Sequence, residues 1–172
     1  NGRKAAIESL DDIRRRLEAA GTRMLFVTAG MGGGTGTGAS PVIAKLAHEM
    51  GILTVGIVTS PLAVEGKIRY EQAFRGIEEL SRNVDSLLVI NNDILASAAK
   101  GIAEIITVES DMVNVDFADV SKVMRDSGRA HMSVATAEGE HRAAEVARAS
   151  LESPLLDHTL ISGAKNILLN IS

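Results

Sequence analysis

A chain of 172 residues with 45% apolar side chains can form one or two globular domains with a real core. Its net charge of −4, with signs interspersed, and its 2% aromatic content argue against nucleic acid as the main partner, since neither a basic footprint nor a stacking surface is supplied. No apolar run reaches the roughly 18–20 residues of a membrane span, and the lack of cysteine excludes disulfides and thiolate metal sites.

The opening Asn1-Gly2-Arg3-Lys4 is not signal-like and leads directly into a helical pattern, which together with the absence of cysteine fits the cytoplasm. Position 1 is not Met, and the sequence ends on the apolar run Ile167-Leu168-Leu169-Asn170-Ile171. Both ends are therefore expected to be cuts in a longer chain.

From Arg3 to Ala19 the apolar positions Ile7, Leu10, Ile13 and Leu17 follow helical spacing, and Gly21 is the expected stop. Met24 to Thr28 reads as a buried strand. After a glycine-rich loop, Ser40-Pro41 is expected to open a helix as N-cap and first-turn proline, and Gly51 to close it. Ile52 to Val58 is a second strand, continuous in apolar residues as a parallel strand covered on both faces is. A helix is expected from Glu65 to about Arg82, then a strand from Ser86 to Ile90. This alternation predicts an α/β fold with a parallel, doubly wound (Rossmann-like) sheet whose ligands lie beyond the carboxyl ends of the strands.

Residues 1–92 are accordingly read as part of a nucleotide-binding domain and a helix over 93–108 as a connector, with 109–172 as the start of a second, smaller α/β domain. The last segment is expected to hold a short helix from Asp116 to Ser127, a strand near Ala130 to Ala135, a helix from Glu140 to Leu151 and the final apolar strand.

The run Met31-Gly32-Gly33-Gly34-Thr35-Gly36-Thr37-Gly38 falls between the first strand and the next helix. Its five glycines let backbone amides approach a ligand with no Cβ in the way, and the following helix N-terminus leaves unpaired N–H groups and partial positive charge facing the loop. Thr35 and Thr37 add hydroxyls. The pattern is that of a phosphate site. A Walker-type loop aligned on Gly33 and Gly38 would place its lysine at Ala39, where none stands. A dinucleotide fingerprint forced onto Gly34, Gly36 and Ala39 needs a carboxylate after the next strand, but Thr59 is followed by Ser60-Pro61. A nucleotide-dependent oxidoreductase is thereby disfavoured.

Other groups are less specific. Glu65 and Arg69 are four apart at a helix head, which suits either a ligand contact or an ordinary surface ion pair worth about 0.2–0.5 kcal/mol. Asp116 and Asp119 are three apart on a first helical turn, a pattern that helix capping alone explains. The four histidines show no metal-ligand spacing, and the six methionines read as core.

The glycine loop, then Gly51-Ile52-Leu53-Thr54-Val55, Glu65-Gly66-Lys67 and Asn114-Val115-Asp116-Phe117-Ala118-Asp119, in that order, resemble the tubulin/FtsZ family of GTPases. The resemblance covers most of the chain. It implies that Gly33, Gly34, Thr35 and Gly36, with Thr37 in the same loop, hold the phosphates of GTP or GDP with Mg²⁺. It further implies that Glu65 takes the ribose and that Arg69 reaches toward the phosphates. Asn114, Asp116 and Asp119 are implied in catalysis in trans, inserted into the nucleotide site of the next subunit. The implied partner is a further copy in a head-to-tail filament of the bacterial division ring, in the cytoplasm at the division site. Membrane tethers and other division proteins would bind through parts outside these residues, and neither nucleic acid nor direct membrane insertion is implied.

The family's first βαβ portion, with further glycine loops, is not represented here. Ile94-Leu95-Ala96-Ser97 replaces a longer stretch between Asp93 and Ala98 that includes guanine contacts. Leu62 and Val64 stand where phenylalanines are frequent, and Glu109-Ser110-Asp111 approaches Asn114 where a basic, glycine-containing segment is usual. These departures support an alternative in which the chain is a non-enzymatic fragment that caps or modulates filaments.

Overall fold

The computed structural model describes residues 1–61, 65–90, 116–133, 135–152 and 164–169. The three apolar runs form parallel strands β1 (Met24–Gly30), β2 (Leu53–Thr59) and β3 (Ser86–Ile90), and a two-residue strand β4 (Gly128–Arg129) adds beside β3. The sheet order is β1-β2-β3-β4. Helices α3 (Gly34–Glu49) and α4 (Lys67–Ser81) make the crossovers, as parallel pairing requires. The predicted parallel α/β sheet is thus the observed one.

Side chains alternate across this sheet and build a core on each face. On one, Val27, Val58 and Leu87 pack with Ala44 of α3 and with Ala73, Ile77 and Leu80 of α4. On the other, Leu53, Val55, Ile57, Leu88 and Ile90 lie under Val120 and Met124 of helix α5 (Phe117–Met124), with Met24, Phe26, Met132 and Leu168 at the margin. β2 is buried at every position, which is why its sequence shows an unbroken apolar run and no alternation.

The largest departure from expectation concerns α3. It begins at Gly34, with Gly33 as N-cap, so most of the glycine-rich run is helical and Pro41 lies inside the helix. Neither the glycines nor an interior proline favours a helix, because Gly is costly by about 1 kcal/mol and Pro41 leaves the Thr37 carbonyl without its usual donor. Packing decides the outcome. A Cβ on Gly36 would sit 2.5 Å from the Gly30 carbonyl oxygen, and one on Gly38 would sit 2.8 Å from Arg3 N. The glycines let the helix lie directly on the end of β1 and on α1 (Gly2–Glu8), while Ser40 Oγ donates to the Gly36 carbonyl at 2.7 Å.

The single helix expected from Arg3 to Ala19 is two, α1 and α2 (Leu10–Ala19), broken at Ser9, whose N–H is shared between the Ala5 and Ala6 carbonyls at 3.2 Å each. β1 runs two residues further than its apolar signal because Ala29 and Gly30 pair with Val58 and Thr59. α4 starts at Lys67, two residues beyond the expected Glu65, and α5 ends at Met124, where Arg125 turns extended and Asp126 adopts φ 52°. Among the described residues of 130–135 no strand is present, the pairing beside β3 being at Gly128–Arg129, and helix α6 (Arg142–Leu151) starts two residues after Glu140. Residues 164–169 are not in a strand. The predicted connector at 93–108 lies outside the described residues. Among the described residues no helix is long and apolar enough to cross a membrane.

Candidate functional site

The glycine loop leaves the carboxyl end of β1 and is fastened there by Met31 N–H, which donates to the Thr59 carbonyl at 2.9 Å. Gly32 then takes φ +95°, a conformation that favours glycine, and lies so near α4 that a Cβ would meet Arg69 Cγ at 2.8 Å and the Arg69 carbonyl oxygen at 3.0 Å. Gly33 is extended, and no side chain caps α3. The first N–H groups of the helix, from Gly34 through Gly36, therefore keep the polarity that attracts an anion. A Cβ built on Gly33 or Gly34 would meet nothing within 4 Å, so this stretch of backbone faces open space. A bare amide edge at a helix start, with room in front of it, fits a phosphate group.

The head of α4 forms the facing wall. Glu65 and Arg69 are brought together, Oε2 to Nη1, at 3.1 Å, and with Gly32, Gly33, Lys67 and Gln72 they line a cleft of about 680 Å³. That volume is within the range of small-molecule sites. Arg69 remains 55% exposed, so the pair contributes little to stability. Thr35 is exposed at the start of α3. Thr37 differs: it is half-buried, and its Oγ1 accepts a hydrogen bond from Gly32 N–H at 2.9 Å.

The acidic pair lies elsewhere. Asp116 and Asp119 are exposed, and Asp116 Oδ1 accepts from Ala118 N–H at 2.7 Å, so the capping interaction is made. Both ends of α5 are anchored to the edge where the strands begin. At its start Phe117 lies under Arg23, next to β1, with the guanidinium carbon 4.2 Å from the ring centroid. Beyond its end, Arg125 Nη1 lies 3.9 Å from Asp85 Oδ1, and Asp126 N–H donates to the same oxygen at 3.4 Å. The seven residues of β1 separate this edge from the glycine loop, a length of about 20 Å. Asn114 lies outside the described residues.

Asp85, Arg23 and Gly76 are the residues the sequence did not single out. The Asp85 carboxylate is fully buried, accepts from Thr54 N–H at 2.9 Å and lies 3.6 Å from His48 Nδ1, so it joins α3, β2 and the segment after α5 at one point. Among the described residues, no group of three or more His, Asp or Glu side chains is arranged to hold a metal ion.

The chain is similar to known proteins in sequence and fold. Residues 1–100 match the model for the Tubulin/FtsZ family GTPase domain, and residues 128–172 match that for the FtsZ family C-terminal domain. Over 98% of its length the chain is 46% identical to the cell division protein FtsZ of Porphyromonas gingivalis, covering 41% of that protein. Over 99% of its length it is 45% identical to the cell division protein FtsZ of Coxiella burnetii, covering 49%. Among solved structures, the empty FtsZ dimer of M. jannaschii matches with a TM-score of 0.82 at 39% identity, over 91% of this chain and 50% of that one. A CetZ from Methanosaeta thermophila shares the fold, with a TM-score of 0.69 at 21% identity over 87% of this chain and 48% of that one. The chain spans about half the length of the curated relatives it matches. The alignment with the Porphyromonas protein runs over 189 positions against 172 residues here, so that relative carries residues within the matched span that this chain lacks.

Proposed function

We propose, because this chain belongs to the tubulin/FtsZ family, that it is part of a GTP-binding and GTP-hydrolysing cell-division protein whose copies stack head to tail, each acidic turn completing the nucleotide site of the next. The observation that carries this reading is the placement of the glycine cradle and of Asp116 and Asp119 at opposite edges of one sheet. Two complementary surfaces at opposite ends of a molecule form a heterologous contact, and its repetition yields an open filament.

In this reading the N–H groups of Gly33, Gly34, Thr35 and Gly36 receive the phosphates. Arg69 adds positive charge beside them, and Glu65 accepts from ribose hydroxyls. Mg²⁺ bound together with the nucleotide would supply positive charge to offset that of the phosphates. The neighbour's Asp116 and Asp119, with Asn114 from the same turn, accept hydrogen bonds from a water and hold it in line with the terminal phosphorus. Phosphoryl transfer gains mainly from such positioning and needs little covalent chemistry from the protein. A lone copy binds GTP but lacks the groups that orient the water.

The test is kinetic. The specific GTPase rate of the whole protein rises with its concentration, and Asp116→Ala removes turnover while GTP binding persists. A specific rate independent of concentration contradicts the proposal. By analogy with the relatives named as cell division proteins, the site of action is the division site.

A further inference from the structure

Thr37 occupies the middle of the glycine run, yet its side chain faces the interior of the loop. Its Oγ1 accepts from the Gly32 N–H, and its Cγ2 methyl lies only 2.4 Å from where a Cβ on Gly76 of α4 would be. The sulfur of Met31 lies 3.5 Å from that same point. About two turns earlier on α4, Arg69 closes over Gly32, where a Cβ again has no room. The loop and α4 therefore meet at two glycine contacts, Gly32 with Arg69 and Gly76 with Thr37. Thr37 links them, holding Gly32 with its hydroxyl and meeting Gly76 with its methyl.

We infer that Thr37 is a positioning residue, which, with Gly76 as its counterpart, sets the separation between the phosphate cradle and the Glu65–Arg69 head of α4. Its side chain acts on the loop and α4, not on the nucleotide. Close-packed contacts of this kind do not deform smoothly, so a change at Gly76 is transmitted to the cradle. The functional half of this inference rests on the proposed nucleotide site; the structural half does not.

Three variants of the whole protein separate the possibilities. Thr37→Val keeps the shape and removes the acceptor. In the nucleotide-free protein, amide exchange at Gly32 is then expected to accelerate about tenfold or more, whereas Thr37→Ser, which keeps the oxygen, retains the protection. Gly76→Ala forces the new methyl into Thr37 and is expected to weaken GTP binding on the order of tenfold. Thr37→Ser, by deleting the opposing methyl, restores most of that loss in the double variant.

Unchanged Gly32 exchange in Thr37→Val overturns the inference, as does a Gly76→Ala/Thr37→Ser protein that binds GTP no better than Gly76→Ala alone. If the unsubstituted protein binds no GTP, the proposed function fails. The brace is then judged by the Gly32 exchange and by whether Thr37→Ser recovers the thermal stability lost in Gly76→Ala.

Discussion

Arg23 lays its guanidinium over the ring of Phe117, 4.2 Å from the centroid, and so ties the first residue of α5 to the residue just before β1. The contact fastens the acidic turn to the edge of the sheet remote from the glycine loop. It sets an exposed cation over a half-buried aromatic face, an arrangement worth about 0.5–1 kcal/mol at exposed sites. Arg23→Ala is expected to lower stability by about that amount in a urea titration. In the proposed mechanism it also lowers GTP turnover several-fold while GTP affinity stays within about twofold, since the cradle is untouched. Equal losses in both would place Arg23 in the cradle's support instead.

The second anchor of α5 is stronger. Asp85 is buried with four partners: the Thr54 and Asp126 amides, His48 and Arg125. Asp85→Ala leaves the Thr54 and Asp126 amides without this acceptor and removes the charge beside His48 and Arg125. Because His48 and Arg125 are each 42% exposed and can return to water, the loss is expected at roughly 2–3 kcal/mol, below the range for a fully buried pair. The urea midpoint of the variant checks this, and a change under 0.5 kcal/mol would remove Asp85 as the junction of α3, β2 and α5.

The parts of this molecule legible in the sequence are those set by local chemistry. Ile52 to Val58 announces a covered parallel strand, and the alternation of strands and helices puts the loop's glycines at the carboxyl end of the sheet, where the Glu65–Arg69 pair meets them. The helical state of Gly34 to Ser40 was hidden, because three glycines, two threonines and the following Pro41 disfavour a helix, and the contacts with Gly30, Arg3 and Gly76 favour one. Asp85 after Val84 reads as a turn residue; its burial depends on Thr54 and Asp126, which lie far away in the chain. The Arg23–Phe117 contact was hidden for the same reason. Asp116 illustrates the opposite case, where the modest local reading, a helix cap, is present in the structure beside the catalytic role proposed for it.

The glycines of the loop divide into two kinds, and a pair of substitutions tells them apart. A Cβ at Gly34 enters open space, so Gly34→Ala is expected to keep the stability of the parent within about 0.5 kcal/mol while weakening GTP binding by crowding the phosphates. Gly36→Ala presses on the Gly30 carbonyl and is expected to cost roughly 1–3 kcal/mol by overpacking. Thermal melts and GTP titrations of both variants provide the check. A Gly34→Ala protein with unaltered affinity would show that the phosphates lie elsewhere.

Glu65 and Arg69 form a partly exposed ion pair, with Arg69 more than half in solvent, that contributes little to folding. Glu65→Gln is therefore expected to leave the melting temperature within about 2 °C and, in the proposed mechanism, to raise the KM for GTP several-fold through loss of the proposed ribose contact. A large drop in melting temperature with unchanged KM would make the pair structural.

The central claim is that one copy's acidic turn serves another copy's cradle, and mixing two impaired proteins tests it most directly. Asp119→Ala keeps the cradle and lacks part of the acidic turn; Gly34→Ala keeps the acidic turn and has the crowded cradle. Mixed in equal amounts, random stacking joins an intact cradle to an intact acidic turn at about a quarter of the contacts. The GTPase rate of the mixture is expected to recover toward that fraction of the parent rate. A mixture whose rate equals the sum of the two residual activities would contradict the account.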